Sequence, residues 1–224
     1  MVDLRPSHVT AMGRSVMVVE DDPLTRGLLA EALTSAGFIV GAVADGVAAQ
    51  RMFRRMDPDA VILDVDLGRG VTGFDIADAI VAQAPGTGIL FLTNLPDSRF
   101  AGRNPESLPA NAGYLRKDLL ADTGALVDAL DAVMRGAHDR APRHDRDPQR
   151  PMASLSATQI EILRMVSLGM SNQQIAHERG TSTKAVHNVI ARALTAIGVE
   201  NADEGSSRVT AARNFIRVAG LPES

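Results

Sequence analysis

Four polar groups stand directly after short apolar runs, and their types suit one chemistry. Glu20-Asp21-Asp22 follows a run at 15–19, Asp64 follows 60–63, Thr93 follows 88–92, and Lys117 follows 113–115. Carboxylates gathered at one point repel one another and need a cation. An all-oxygen ligand set favours Mg2+ over zinc, and a chain without cysteine offers no thiolate. The Lys117 ammonium, one of two lysines in the chain, suits a phosphate or carboxylate oxygen, and the Thr93 hydroxyl suits the same partner. A carboxylate nucleophile, a divalent ion, a hydroxyl and an ammonium together make a site for phosphoryl transfer to an aspartate. Each residue also has a plainer reading. An aspartate at a strand end is common turn chemistry. Asp22 before Pro23 suits a helix N-cap, and Tyr114 is ordinary strand packing.

These groups act together only if their elements end at one place. Runs at 15–19, 39–43, 60–63, 88–92 and 113–115 are short and apolar, with β-branched members at 60–63, as strands buried in a parallel sheet are. Between them lie helical patterns: Leu24, Leu28, Leu29, Ala32, Leu33 and Ala36; then Val47, Met52 and Met56; then 74–84; and, after the fifth strand, Leu126, Val127, Leu130 and Val133. Five βα units imply an α/β doubly wound five-stranded parallel sheet, whose strand carboxyl ends share one edge where ligands bind. The stretch 94–112 has no clear period and contains Pro96, Pro105 and Pro109.

Val18-Val19-Glu20-Asp21-Asp22, Leu63-Asp64, Leu92-Thr93 and Tyr114-Leu115-Arg116-Lys117 resemble the receiver domain of two-component response regulators, in the family's order. The resemblance implies a flavodoxin/CheY-like fold over residues 15–136. It implies that Asp64 accepts a phosphoryl group from a sensor histidine kinase. Asp21 and Asp64 then ligate Mg2+, Glu20 helps through water, and the backbone carbonyl of Asp66 completes the shell. Thr93 and Lys117 hold the phosphoryl oxygens, and Tyr114 swings inward when Thr93 is drawn to the phosphate. No enzyme activity beyond this self-phosphorylation is implied. Asn94 departs from the small residue the family carries there, which predicts slower phosphorylation. The irregular 94–112 stretch stands where the family has a fourth helix.

Residues 137–152 carry mixed charge and prolines and read as an extended linker. Beyond them, Ser156, Ser171 and Ser182 are candidate N-caps and Gly169, Gly180 and Gly198 are stops, giving short helices joined by tight turns. Leu155-Ser156, the run 169–176, Thr183-Lys184-Ala185-Val186 and Ile197-Gly198-Val199 resemble the LuxR/NarL-type helix-turn-helix domain, here 153–224. By that resemblance the helix 182–197 enters the major groove. Lys184 and Arg192 pair with phosphates, while His187 and Asn188 reach base edges. Gln159 replaces the family's usual glutamate. The final helix, 209–218, is the expected surface of a homodimer formed on activation.

Together the two resemblances identify a cytoplasmic response regulator of the NarL/FixJ type, acting on promoter DNA. Charge supports this only weakly. The net charge is −4, with 12 basic against 18 acidic residues in 1–137 and 7 against 6 in 151–224. Phosphate neutralisation usually supplies most of the DNA affinity, so a signalling adaptor whose helical domain binds protein is a rival reading, as is a regulator that works without phosphate. No apolar run approaches the ~20 residues of a membrane helix, and the first fourteen residues lack a secretory apolar core.

Overall fold

The computed structural model describes residues 13–68, 70–137, 140–199 and 204–220. The chain divides into two compact units, residues 1–93 with 108–143 and residues 94–107 with 144–224.

The first unit is built on a parallel sheet of β1 (Ser15–Val19), β2 (Ile39–Val43), β3 (Ala60–Leu63), β4 (Gly88–Thr93) and β5 (Gly113–Arg116), in the order β2-β1-β3-β4-β5. Around it run α1 (Pro23–Ser35), α2 (Gly46–Met56), α3 (Gly73–Gln83) and α4 (Thr123–Met134). Every residue of β3 and β4 is buried, which is why both read as unbroken apolar runs. On one face Val16, Val18, Ile62, Leu90 and Leu92 pack with Leu29 and Leu33 of α1 and Leu126, Leu130 and Val133 of α4. On the other, Phe91 of β4 meets Phe74 of α3 edge-on at 4.8 Å and Tyr114 of β5 at 6.1 Å. Val19 pairs with Leu63 and Leu63 with Phe91, so the polar residues that follow emerge along one edge.

In two helices part of the expected apolar stripe is exposed. Leu24 and Leu28 are 70% and 58% exposed, whereas Leu29 and Leu33 of the same expected stripe are buried by α1. Val47 is exposed while α2 buries Ala49 and Phe53. α1 is apolar on more than one side, so the period alone does not choose its face. Met52 and Met56 do turn toward the sheet, where they occupy the space above Gly41 of β2.

The second unit contains α5 (Ala157–Ser167), α6 (Asn172–Glu178), α7 (Thr183–Ala196) and α8 (Glu204–Ala219). Ser156 and Ser171 cap α5 and α6 in full capping boxes, and Ser182 caps α7. Gln159 closes its box as a glutamate would, accepting from the Ser156 N–H at 2.8 Å. Ile160, Leu163, Ile175, Val186, Ile190, Leu194, Ala211 and Phe215 fill the core. Residues 94–107 form two 3-10 turns, Ser98–Ala101 and Pro105–Ser107, and pack in this unit. The stretch expected as one extended linker is shared out. Ala141 joins the core of the sheet unit and the Tyr114 N–H donates to Pro142 O at 2.7 Å, whereas Asp145 is buried in the helical unit. The acidic residues Glu200 and Asp203, and the leader 1–12, lie outside the described residues.

Candidate functional site

The parallel ladder runs one residue past the strands. The Glu20 N–H donates to Val43 O at 3.1 Å, and the Asp64 N–H donates to Val19 O at 2.9 Å. Both carboxylates are therefore held by backbone rather than by loop chance. The next constraint is Gly73, whose N–H donates to Val65 O at 3.1 Å. A Cβ on Gly73 would fall 2.0 Å from the Asp64 carbonyl oxygen, so only glycine lets α3 begin against the Asp64 backbone. Asp22 is the N-cap of α1, accepting from the Thr25 N–H at 2.7 Å, which holds its carboxyl below the usual range. It faces its own helix and is not among the clustered ligands.

Lys117, just past β5, reaches into this frame. Its Nζ lies 2.6 Å from Asp64 Oδ2 and 2.7 Å from Glu20 Oε2. Glu20, Asp21 and Asp64 each present an oxygen within 4.8 Å of the others, Glu20 and Asp64 buried and Asp21 exposed. The Asp66 N–H donates to Asp64 Oδ1 at 3.2 Å. Thr93 ends β4 at 1% exposure. Tyr114 is fully buried against Phe91, so the ring expected to swing inward already lies inside.

One ammonium, paired with Glu20 and Asp64, does not balance three clustered carboxylates. Burial pushes the Glu20 carboxyl up to about 7. The hydrogen bond from Lys117 opposes this, and the neighbouring charges of Asp64 and Asp21 add to it. Burial alone would lower the Lys117 ammonium, yet the charge and hydrogen bonds of Asp64 and Glu20 outweigh it and hold the group above its ordinary value. Surplus negative charge on oxygen ligands fits a hard divalent cation. Arg26 adds a contact that motif reading passes over. Its Nη1 donates to the carbonyls of Glu20 at 2.7 Å and Asp21 at 3.0 Å, fixing the acidic turn. Its place one turn into α1, beside that turn, was the available signal.

The second candidate surface is the outer face of α7. Val186, Ile190, Ala193 and Leu194 are buried, which leaves Lys184, Asn188, Ala191 and Arg192 exposed and His187 half-buried. The Arg192 Nε donates to Asn188 O at 3.2 Å, folding that side chain along its own helix. The turn before α7 is closed by the Thr181 N–H on Ala176 O at 2.9 Å, with Gly180 at φ 59.

A βα sheet with clustered acids and a lysine at its carboxyl edge, followed by a compact helix-turn-helix unit, defines a receiver joined to a DNA-binding domain. The family model of the response regulator receiver domain matches residues 16–131, and that of the bacterial regulatory proteins of the luxR family matches residues 153–205. The chain belongs to the response regulators, and its pair of domains is that of the NarL/FixJ type. The nitrate/nitrite response regulator protein NarP of Escherichia coli K12 is 27% identical over 219 residues, covering 92% of this chain and 95% of the relative. The transcriptional regulatory protein DesR of Bacillus subtilis 168 is 27% identical over 197 residues, covering 87% and 95%. RcsB from Salmonella enterica serovar Typhimurium, solved bound to promoter P1flhDC in the presence of phosphomimetic BeF3−, superposes with a TM-score of 0.57. It is 20% identical and covers 88% of this chain and 98% of that one, a likeness that shows the fold. The family is one of regulators rather than classical enzymes. No helix among the described residues is long and apolar enough to cross a membrane.

Proposed function

We propose that Asp64 is the phosphoacceptor of a cytoplasmic two-component system and that its phosphorylation controls promoter binding by the helical domain. The observation that carries this reading is the Lys117 ammonium within hydrogen-bond reach of both Asp64 and Glu20, with Asp21 beside them. An Asp64 oxygen forms a bond to phosphorus as the phosphorus–nitrogen bond to a histidine of the sensor kinase breaks. Glu20, Asp21, Asp64 and the Asp66 carbonyl would hold Mg2+, which would neutralise charge on the transferring group. Lys117 and Thr93 hold phosphoryl oxygens, and Tyr114 follows Thr93. The functional domains are a receiver over 15–136, a linker over 137–152 and a DNA-binding domain over 153–224, with a homodimer as the active form.

Incubation with radiolabelled acetyl phosphate and magnesium tests the acceptor. Label on the wild type and none on Asp64→Asn is expected, and label retained on the variant would refute the assignment. At the other end, Lys184→Ala should weaken binding to all sequences and reduce the salt slope by about 1, whereas Asn188→Ala should cost about 1–3 kcal/mol on the preferred site alone. Equal loss on random DNA would remove Asn188 from base reading. The buried Tyr114 favours a second reading, in which the regulator acts without phosphate. Full promoter affinity in Asp64→Asn would select it.

A further inference from the structure

The helix α6 has seven residues, and a helix that short is not stable in water by itself. Its position is therefore set by what grips its two ends. At the last turn Ile175 and Ala176 are buried, and the Thr181 N–H on Ala176 O leads the chain into α7. At the first turn the Ser171 N–H donates to Gln174 Oε1 at 2.8 Å and the Gln174 N–H to Ser171 Oγ at 3.2 Å. That capping box satisfies the helix but ties it to nothing outside itself.

The outside tie comes from α8, which packs on α5 and α7. Positions 208, 211 and 215 share one face of α8, and Ala211 and Phe215 on that face are buried. Arg208 stands at the end of the same face, half-buried, where a guanidinium needs partners. It finds them across the turn between α5 and α6. Its Nη1 donates to Asn172 Oδ1 at 2.5 Å, and its Nη2 donates to Met170 O. These two acceptors flank Ser171, so one planar fork holds the cap from both sides. The turn itself is closed by the Met170 N–H on Met165 O at 3.2 Å, with Gly169 at φ 82.

In a helix-turn-helix the first helix crosses the DNA backbone while the second lies in the major groove. A shift at the start of α6 would move that crossing relative to α7. We propose that Arg208 is a positioning residue for DNA binding, fixing the first turn of α6 so that α6 and α7 meet the duplex in a single pose. Both terminal nitrogens are engaged by acceptors of the protein, so Arg208 acts through α6 and makes no phosphate contact of its own. This rests on α7 being the helix that enters the groove.

Fluorescence anisotropy on the full chain tests it, with a duplex that the wild type selects from a random pool and a series of potassium chloride concentrations. Arg208→Ala should weaken binding about 10-fold at every concentration, while the slope of log affinity against log salt stays at the wild-type value. A slope shallower by about 1 would make Arg208 a phosphate contact and overturn the proposal, as would unchanged affinity. Circular dichroism in the binding buffer should show wild-type helicity, which separates positioning from unfolding. Asn172→Ala removes one acceptor and leaves the guanidinium in place. It should weaken binding about 3-fold alone and add nothing to Arg208→Ala. Additive losses overturn the link between the two residues. Wild-type affinity in Asn172→Ala overturns the proposal whether or not Arg208→Ala folds. If the wild type selects no duplex at all, the DNA-binding reading falls and the proposal falls with it.

Discussion

Among the described residues, two ion clusters have opposite balance. At the sheet edge, Glu20, Asp21 and Asp64 cluster, and the single ammonium of Lys117 pairs with Glu20 and Asp64. In the helical unit, the single carboxylate of Asp97 lies between the guanidiniums of Arg99 and Arg150. In the first, burial raises the Glu20 carboxyl to about 7, and the charges of Asp64 and Asp21 add to this against the opposing Lys117 hydrogen bond. The second has its acid fully satisfied. A carboxylate set left under-compensated is ready to take a cation and react, whereas a saturated one resists change and serves to hold backbone in place. Burial and ion pairing are common to both clusters, and the sign of the imbalance separates a reactive site from a fastener.

The sharpest break of this contrast is Asp64→Asn. It should reduce phosphoryl uptake to background while leaving unfolding of the helical unit unaltered, as followed by circular dichroism in urea. Asp97→Asn should do the reverse. Removing the one carboxylate leaves the buried Arg99 guanidinium and the half-buried Arg150 guanidinium uncompensated, at a cost of about 3–5 kcal/mol. A midpoint unchanged in urea would show that Asp97 fastens nothing. Lys117→Met should cost less, about 1–3 kcal/mol without divalent ion, because Glu20 can take up a proton in its place. Saturating Mg2+ should restore most of that loss, since a ligand at 100 times its Kd stabilises by about 2.7 kcal/mol. If Mg2+ stabilises Lys117→Met no more than it stabilises a Glu20→Gln, Asp64→Asn double variant, the sheet-edge cluster is not the metal site.

The two clusters also differ in how far the sequence revealed them. Glu20, Asp21, Asp64 and Lys117 each lie just past an apolar strand, and a parallel sheet must bring such positions to one edge. Their meeting was therefore legible from pattern alone. Asp97 and Arg99 lie in a proline-interrupted stretch without period, and their partner Arg150 is 53 residues further along. Nothing local encodes that pairing, so residues 94–107 read as a poorly patterned loop when they are part of a core. The face of α1 was ambiguous for a related reason. Leu24 and Leu28 satisfy the helical period as well as Leu29 and Leu33 do, and the choice between them is made by tertiary packing.

Acid titration separates the clusters with the smallest perturbation. Burial works to raise the Asp97 carboxyl, but the hydrogen bonds from Arg99 and Arg150 and the charge of Arg99 hold it below the usual carboxylate range. A depressed folded value contributes stability above the unfolded value of about 3.9, and that stability is lost as pH falls through the folded value. The Phe100–Phe215 proximity signal in NMR should accordingly persist unchanged from pH 7 to 5 and fade only below about pH 4. Glu20 runs the other way. Its raised folded value means that stability is lost as pH rises from the ordinary carboxylate range through about 7. Side-chain carboxyl carbon shifts in the metal-free protein should then show Glu20 titrating near 7 while Asp97 stays ionised. Were Asp97 to protonate in the same interval, its two arginines would not be compensating it, and the contrast between a reactive and a fastening cluster would fail.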